Sequence, residues 1–485
     1  MAVAERRVLG IDLGITSAHT AAILDQAGQV LGRRRCRPTV ASLEAVEAAA
    51  LAGTPAGTRL EVVVEPTGPA WLPVAVFFAG RGHAVYRVPV AKAADLRRFL
   101  SRHAKSNAID AETLARLPLV DPGGVQPLEL PDGPRASLDR RVRTCQWLTE
   151  QATAHKVRIR DLARQLFPTL NDAVDSELRS ADLAVLERYG DPRKLLAAGP
   201  EPVAGLLRAG STGRMAAAKV ESRARAWVGV AQAAVELYGD SGAMPYADVA
   251  AELATEVRLL RAVLAEQKPH QQARERAYLK VEPDELARTL PGIAEVGAPL
   301  LVAAIGRPQR FASAAKFKAF TGLTPKASET GETDRKGQAI TKAGAARLRK
   351  QLVCSANTAR QVDPQLAAVY YAQMVERGAH HIKALCIVAA KLAERFWAVQ
   401  ASGKPYVLRD VDGREVTVEE ARRIIAERYT VPEEVRRRRR STKPRTGKAP
   451  QHVLSGHAQR GTSRAEPRRP SPCPILGPGH GTVNR

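Results

Sequence analysis

No run of about 20 apolar residues, the length a membrane-spanning helix needs, occurs anywhere in the chain, so a helical membrane protein is not expected. The first residues, Met1-Ala2-Val3-Ala4-Glu5-Arg6-Arg7, carry no apolar stretch of the signal-peptide kind, and the expected location is the cytoplasm. Cysteine is scarce. The five residues Cys36, Cys145, Cys354, Cys386 and Cys473 are far apart and form no C-x-x-C pair, which argues against a zinc ribbon and against a disulfide framework. Acid is short as well. Fifty Asp and Glu face 74 Lys and Arg, a net charge of +24 with a pI of about 10.3. Such an excess makes a polyanion the expected partner, nucleic acid first, because each neutralised phosphate releases condensed counterions. From Val431 to Arg485 there are 13 basic and 3 acidic residues, so this segment alone holds +10 of the charge.

What is present begins with Val8 to Arg35. Three short strands are expected there, Val8 to Leu13, His19 to Leu24 and Val30 to Arg34, separated by Gly-, Asp- and Ser-containing turns. Asp12 lies in the first of them. A buried carboxylate needs a partner, and a metal cation at the sheet surface is one; capping of the strand end beside Gly14 is the other reading. A helix follows over Ser42 to Leu51, then a strand, Leu60 to Val64, that delivers Glu65 just before Pro66-Thr67-Gly68. Trp71 to Arg81 reads as a helix and Ala84 to Val88 as a strand. This β-β-β-α-β-α-β order is the connectivity of the ribonuclease H and RuvC nuclease fold. It puts Asp12 and Glu65 on neighbouring strands at the end where ligands bind in such sheets.

A helix opening at Ser106 or Asn107 carries Asn107 and Asp110 on one face. Three carboxylates from separate elements suit metal-assisted phosphodiester chemistry, in which oxygen ligands hold Mg²⁺. Attraction of acids to a helix N-terminus explains Glu112 equally well.

Gly10-Ile11-Asp12, Val64-Glu65-Pro66-Thr67-Gly68 and Lys105-Ser106-Asn107-Ala108-Ile109-Asp110-Ala111 resemble the three blocks of the DEDD-type insertion-sequence transposases, the bridge-RNA-guided recombinases related to Piv-type DNA invertases. The resemblance implies metal ligands at Asp12, Glu65, Asn107 and Asp110, with Asn107 standing where the family has an acid. An amide oxygen still ligates Mg²⁺ but brings no charge.

From Pro127 to Lys280 the chain reads as mostly helical. The stripes Leu138, Val142, Cys145, Leu148, Ala152 and Val249, Leu253, Val257, Leu260, Leu264 are those of a bundle or coiled coil, and dimerisation through them is expected. Leu290 to Gly306 has a helix-hairpin-helix pattern whose glycine turn can hold a DNA phosphate or simply close a structural hairpin. A polar loop, Lys326 to Gln338, and a basic helix after Gly344 follow.

This second region resembles the C-terminal domain of the same transposases, where a Ser-Gly pair supplies the nucleophile that becomes linked to DNA. Here the pair is Thr330-Gly331, with Ser328 just before it. The resemblance therefore implies Thr330 as nucleophile, with Ser328 as a substitute if the loop shifts, and Lys326, Arg335, Lys336, Lys342, Arg347 and Arg349 on nucleic acid. An ordinary polar surface loop is the alternative.

The expected architecture is α/β plus α: a RuvC-like domain (1–130), a helical bundle or coiled coil (131–282), a mainly α transposase domain (283–402), a small element (403–430) and a disordered basic tail (431–485). By resemblance the partners are element-end and target DNA and a structured noncoding guide RNA, with the protein a homodimer or tetramer. Two rival readings stand beside the recombinase. One is a catalytically impaired nucleic-acid binder, motivated by Asn107 and Thr330. The other is an actin-like or sugar-kinase ATPase, suggested by Gly10 to Ser17, though no second phosphate hairpin is found downstream.

Overall fold

The computed structural model describes residues 6–440, apart from 102, 105, 175–176, 213, 240–241, 328, 331–332 and 335–336, and only the backbone of 329–330 and 333–334. Its first unit is a five-stranded sheet built from β1 (Arg7–Asp12), β2 (His19–Leu24), β3 (Val30–Cys36), β4 (Leu60–Val64) and β5 (Ala84–Arg87). The strand order is β3-β2-β1-β4-β5. β1 runs antiparallel to β2 and parallel to β4, with Ile11 opposite Val64. α1 (Val40–Leu51) and α2 (Trp71–Gly80) fall where the sequence places helices, and the expected order of strands and helices is the order observed.

The two faces of this sheet are read directly from strand alternation. Leu9, Ile11, Val62 and Val64 pack with Leu43, Val46, Val74 and Phe78 under α1 and α2. Val8, Ala22, Leu24 and Val63 face the other way and pack with Ala111, Leu114 and Ala115. That second face is covered by α3 (Val90–Leu100), which the sequence analysis does not anticipate, and α4 (Asn107–Val120). Strands covered on both sides lose the polar alternation of a half-exposed sheet, which is why Val62, Val63 and Val64 are all fully buried.

Two long helices leave this unit, α5 (Gly133–Leu166) and α10 (Tyr246–Val281), each on the order of 50 Å long at 1.5 Å per residue. They pack along one another in opposite directions and belong to two separate cores. At the far end, Ile159, Ala163, Leu253 and Val257 join a compact bundle with α6 (Ser180–Tyr189), α7 (Pro192–Ala198), α8 (Pro200–Gly210) and α9 (Ala217–Tyr238), centred on Trp227 and Phe167. At the near end, Leu138, Val142, Ala277 and Tyr278 join the C-terminal core. The stripes expected of a single bundle therefore serve two.

The C-terminal unit contains α11 (Gly297–Ile305), α12 (Ala314–Thr321), the two-residue strands β6 (Glu329–Thr330) and β7 (Thr333–Asp334), α13 (Ala346–Ala359), α14 (Pro364–Tyr371), α15 (His381–Ser402), α16 (Val418–Arg428) and α17 (Glu433–Arg438). One buried polar network ties it together. Asp363, fully buried, caps α14 by accepting from Leu366 N–H (2.9 Å), pairs with Arg395 (2.7 Å) and accepts from the Tyr406 hydroxyl (2.5 Å).

The expectation of a disordered tail from Val431 onward is corrected for its first ten residues. Glu433 and Glu434 in the first turn of α17 and Arg436, Arg437 and Arg438 in the last complement the helix dipole. Arg439 then anchors the segment by donating to the Met374 carbonyl, and its own carbonyl accepts from His381 N–H (3.1 Å). Residues 441–485 lie outside the described residues.

Candidate active site

The acid site is built by register. Gly10 sits on the α4 face of β1, where an added Cβ would stand 2.1 Å from the Ala111 carbonyl oxygen and 2.5 Å from Ala115 N. Glycine is required there because helix backbone lies directly on strand backbone. Asp12, two residues on, shares that face, and Glu65, two residues after Val63, shares it from the next strand. With Ile11 opposite Val64, continuing the register sets Asp12 beside Glu65, their strands roughly 4.8 Å apart.

α4 supplies the third acid. Ser106 is its N-cap, accepting from Ile109 N–H (3.2 Å), which fixes Asn107 and Asp110 in the first turn over the ends of β1 and β4. Asp12, Glu65 and Asp110 are half-buried and Asn107 is exposed. Glu112 points elsewhere, accepting from Arg33 Nε of the edge strand (2.6 Å).

Two residues that the sequence reading missed act on this site. Arg97, in the last turn of α3, lies 3.5 Å from Asp110 Oδ1. His19, at the start of β2 and almost fully buried, accepts the Gly14 N–H on Nδ1 (3.1 Å) and so pins the turn that follows Asp12. Burial holds the His19 pKa below its ordinary value. Arg97 has a weak signal, a basic pair closing a short amphipathic segment before Ser106; a lone histidine opening a strand has none.

All-oxygen donors of this kind fit a hard divalent cation. Among the described residues, however, no three His, Cys, Asp or Glu side chains are gathered closely enough to hold one. Asp110 instead has the Arg97 guanidinium 3.5 Å from Oδ1, a positive charge beside a carboxylate that a cation would otherwise use.

The second half of the site is a hairpin, where the sequence suggests an irregular loop. Thr341 N–H donates to the Thr324 carbonyl (2.8 Å), Lys326 N–H to Ala339 (2.9 Å) and Lys342 N–H to Gly322 (3.1 Å), so two arms leave the end of α12 together. Further out, Glu329 pairs with Asp334 and Thr330 with Thr333. Thr330 is thus next to the tip. Its side chain, and Ser328, Arg335 and Lys336, lie outside the described residues. Lys326 and Lys342 are exposed on the arms. Arg347 turns inward to Asp139 and Gln146 of α5, and Arg349 donates to the Gly344 carbonyl, so both brace α13.

The glycine turn of the expected helix-hairpin-helix also faces inward. Gly292 has φ 77°, and a Cβ on it would lie 2.2 Å from the Ser355 carbonyl oxygen of α13. Close packing accounts for this glycine, and a short 3₁₀ turn, Leu286–Thr289, leads into it.

The acid site lies against the sheet core, and the root of the hairpin packs on the C-terminal core. The sheet unit touches the C-terminal unit elsewhere, through Glu129 and Arg307 (2.8 Å).

Comparison with known proteins agrees with this division. A transposase model of the DEDD type matches residues 9–168, from β1 to the end of α5. The model described as Transposase IS116/IS110/IS902 family matches residues 284–371, from the 3₁₀ turn through the hairpin to the end of α14. A protein of Sinorhizobium fredii (strain NBRC 101917 / NGR234), y4pF/y4sB, which carries a transposase name, is 33% identical over 141 residues, or 28% of this chain. The match spans 35% of that relative's length. Two models of one family, met in order at separate parts of the polypeptide and together spanning about half of it, leave a single assignment: the chain belongs to the DEDD-type transposases of the IS116/IS110/IS902 family.

Proposed function

We propose that this chain cuts and rejoins DNA strands at the ends of an insertion sequence and at its target, with Asp12, Glu65 and Asp110 as Mg²⁺ ligands, Asn107 as a neutral fourth donor and Thr330 as nucleophile. The observation that carries the reading is the shared face: by register and strand alternation Asp12 and Glu65 stand at the carboxyl ends of adjacent parallel strands, on the side of the sheet that α4 covers. Bound there, a divalent cation polarises the scissile phosphate. Thr330 Oγ1 attacks phosphorus as its hydroxyl proton is given up to water, a new P–O bond forms as the P–O bond to the departing strand breaks, and the departing oxygen takes up a proton from water. Attack by a hydroxyl of the second DNA reverses this step and frees the threonine. The threonine methyl group crowds an in-line approach, so Thr330→Ser is expected to keep or raise activity.

A structured RNA encoded by the element, pairing with both DNAs, belongs to the same reading by family resemblance, as does assembly into a dimer or tetramer that brings a hairpin to an acid site. Retention of an element-derived RNA through purification of the full chain tests the first point.

A second reading, a catalytically impaired DNA binder, has one observation in its favour, the Arg97 contact on Asp110. One experiment separates the two. The full chain is incubated with labelled element-end DNA, Mg²⁺ and the element RNA, then denatured and digested, and the linked residue is mapped. Attachment at Thr330, lost in Asp12→Ala and Thr330→Ala, is expected. Attachment at Ser328 overturns the assignment of the nucleophile, and absence of any adduct favours the binder.

A further inference from the structure

We propose that α17 and the start of α15 form a DNA-backbone surface continuous with the hairpin that carries Thr330, made of Arg360, His381, Lys383, Arg436 and Arg440. It rests on the reading that this hairpin meets DNA. Most of it lies beyond the residues matched by the family models, which end at Tyr371.

The geometry starts from the docking of α17. A π-helical turn, Ala372–Glu376, follows α14 and presents the Met374 carbonyl to Arg439. The Arg439 guanidinium also lies 3.1 Å from where a Cβ on Gly378 would stand, so the segment is seated in the α14–α15 turn. This brings Arg436 and Arg440 against the last turn of α13 and the first of α15. Arg360 lies 4.2 Å over the Tyr370 ring, and the Tyr370 hydroxyl is 2.7 Å from His381 Nδ1.

The charges here repel one another. Burial lowers the Arg360 pKa and Arg436 lowers it further; burial lowers that of His381, with Arg360 and Arg440 adding to it. Among the described residues no carboxylate is in ion-pair contact with Arg360, Arg436 or Arg440. A fold that packs like charges together without acids between them has a surface that a polyanion stabilises.

The surface leads to the hairpin. Lys383 Nζ lies 3.6 Å from the position of a Cβ on Gly337, and Lys342 at the hairpin root is near enough to act on the thiol of Cys386. Lys342, Lys383, Arg436 and Arg440 are all exposed. The strand that presents a phosphate to Thr330 therefore continues over these cations, and DNA is favoured over RNA by that continuity. Contacts of this kind hold register and carry no sequence preference.

The test is the salt dependence of binding by the full chain to a short DNA duplex of unrelated sequence. Lys383→Gln/Arg436→Gln/Arg440→Gln is expected to flatten the slope of log K against log salt by about 2 to 3, at about 0.9 per phosphate, and to weaken binding at low salt at least about tenfold. Arg436→Lys/Arg440→Lys keeps the charge and is expected to keep the slope, which separates lost contacts from a damaged fold. Arg188→Gln/Lys194→Gln/Arg208→Gln removes the same charge from the far bundle and is expected to leave the slope as it was. An unchanged slope in the first variant, an equal fall in the far-bundle variant, or loss of binding to a single-stranded RNA with DNA binding intact would each overturn the proposal. Adduct formation at Thr330 is read separately, so failure of the strand-transfer reading is distinguishable from failure of this one.

Discussion

In the sheet unit Asp12 and Glu65 are held by ladders on both sides and a helix laid directly on the backbone, whereas Thr330 stands near the tip of a hairpin whose outer ladder is two residue pairs long. One half of the candidate chemistry is laid into a sheet core; the other joins its core through the root, where Thr341, Lys326 and Lys342 make their backbone bonds. Local stability follows the density of buried contacts and backbone bonds, so substitutions in the sheet core are expected to cost more than substitutions in the two arms of the hairpin. Strand transfer as proposed requires a hairpin, of this copy or another, to meet the acids.

The comparison breaks most severely if the two units do not melt separately. Asp363→Ala removes the buried partner of Arg395 and Tyr406, and a broken buried ion pair costs roughly 3–5 kcal/mol. Thermal unfolding followed by calorimetry is expected to lose stability in the C-terminal transition and to leave the sheet transition in place. Gly10→Ala is the mirror experiment. It drives a methyl group into the Ala111 carbonyl, a clash worth about 3 kcal/mol, and should lower the sheet transition alone. A single merged transition in both variants would show that the units unfold as one.

Arg97→Gln sharpens the contrast at the level of function. Releasing Asp110 from a partly exposed ion pair is worth at most about 1 kcal/mol, so Mn²⁺ is expected to bind the full chain up to about fivefold more tightly. Titration calorimetry or Mn²⁺ spectroscopy measures it, and weaker binding would mean that Arg97 positions Asp110 for the metal.

The smallest effect is that of pH. His19 in the sheet unit and His381 in the C-terminal unit both have pKa values lowered by burial. A neutral form favoured in the fold gives stability that is complete above the unfolded histidine value of about 6.5 and is lost as pH falls through it. The melting temperature is therefore expected to fall between about pH 6.5 and 5 in both units, and His19→Gln should flatten the fall in the sheet transition only.

Much of this was legible from residues. Strand alternation and the Gly10, Asp12 and Val63, Glu65 spacings fix a face before any coordinates, because period-2 geometry leaves no choice. The cap at Ser106 likewise sets the α4 acids. What escaped the sequence depends on long-range contact: α3 with Arg97, the inward use of Gly292, and the engagement of Arg347 and Arg349 with backbone and α5. Each looks the same along the chain whether it faces solvent or protein. The docking of α17 was hidden for another reason, since composition argues for disorder and a single arginine on a π-turn carbonyl decides otherwise.

The paired long helices have a consequence for how this polypeptide tolerates change. Because α5 and α10 are embedded in a core at each end, the pair works as a ruler whose graduations are helical turns. Three residues added to both would swing the distal bundle by about 60°, whereas seven would shift its phase by only about 20° and move it outward by roughly 10 Å. Lengthening one helix alone would shear the two cores against each other, so length changes here should be accepted only as matched pairs of near-whole turns.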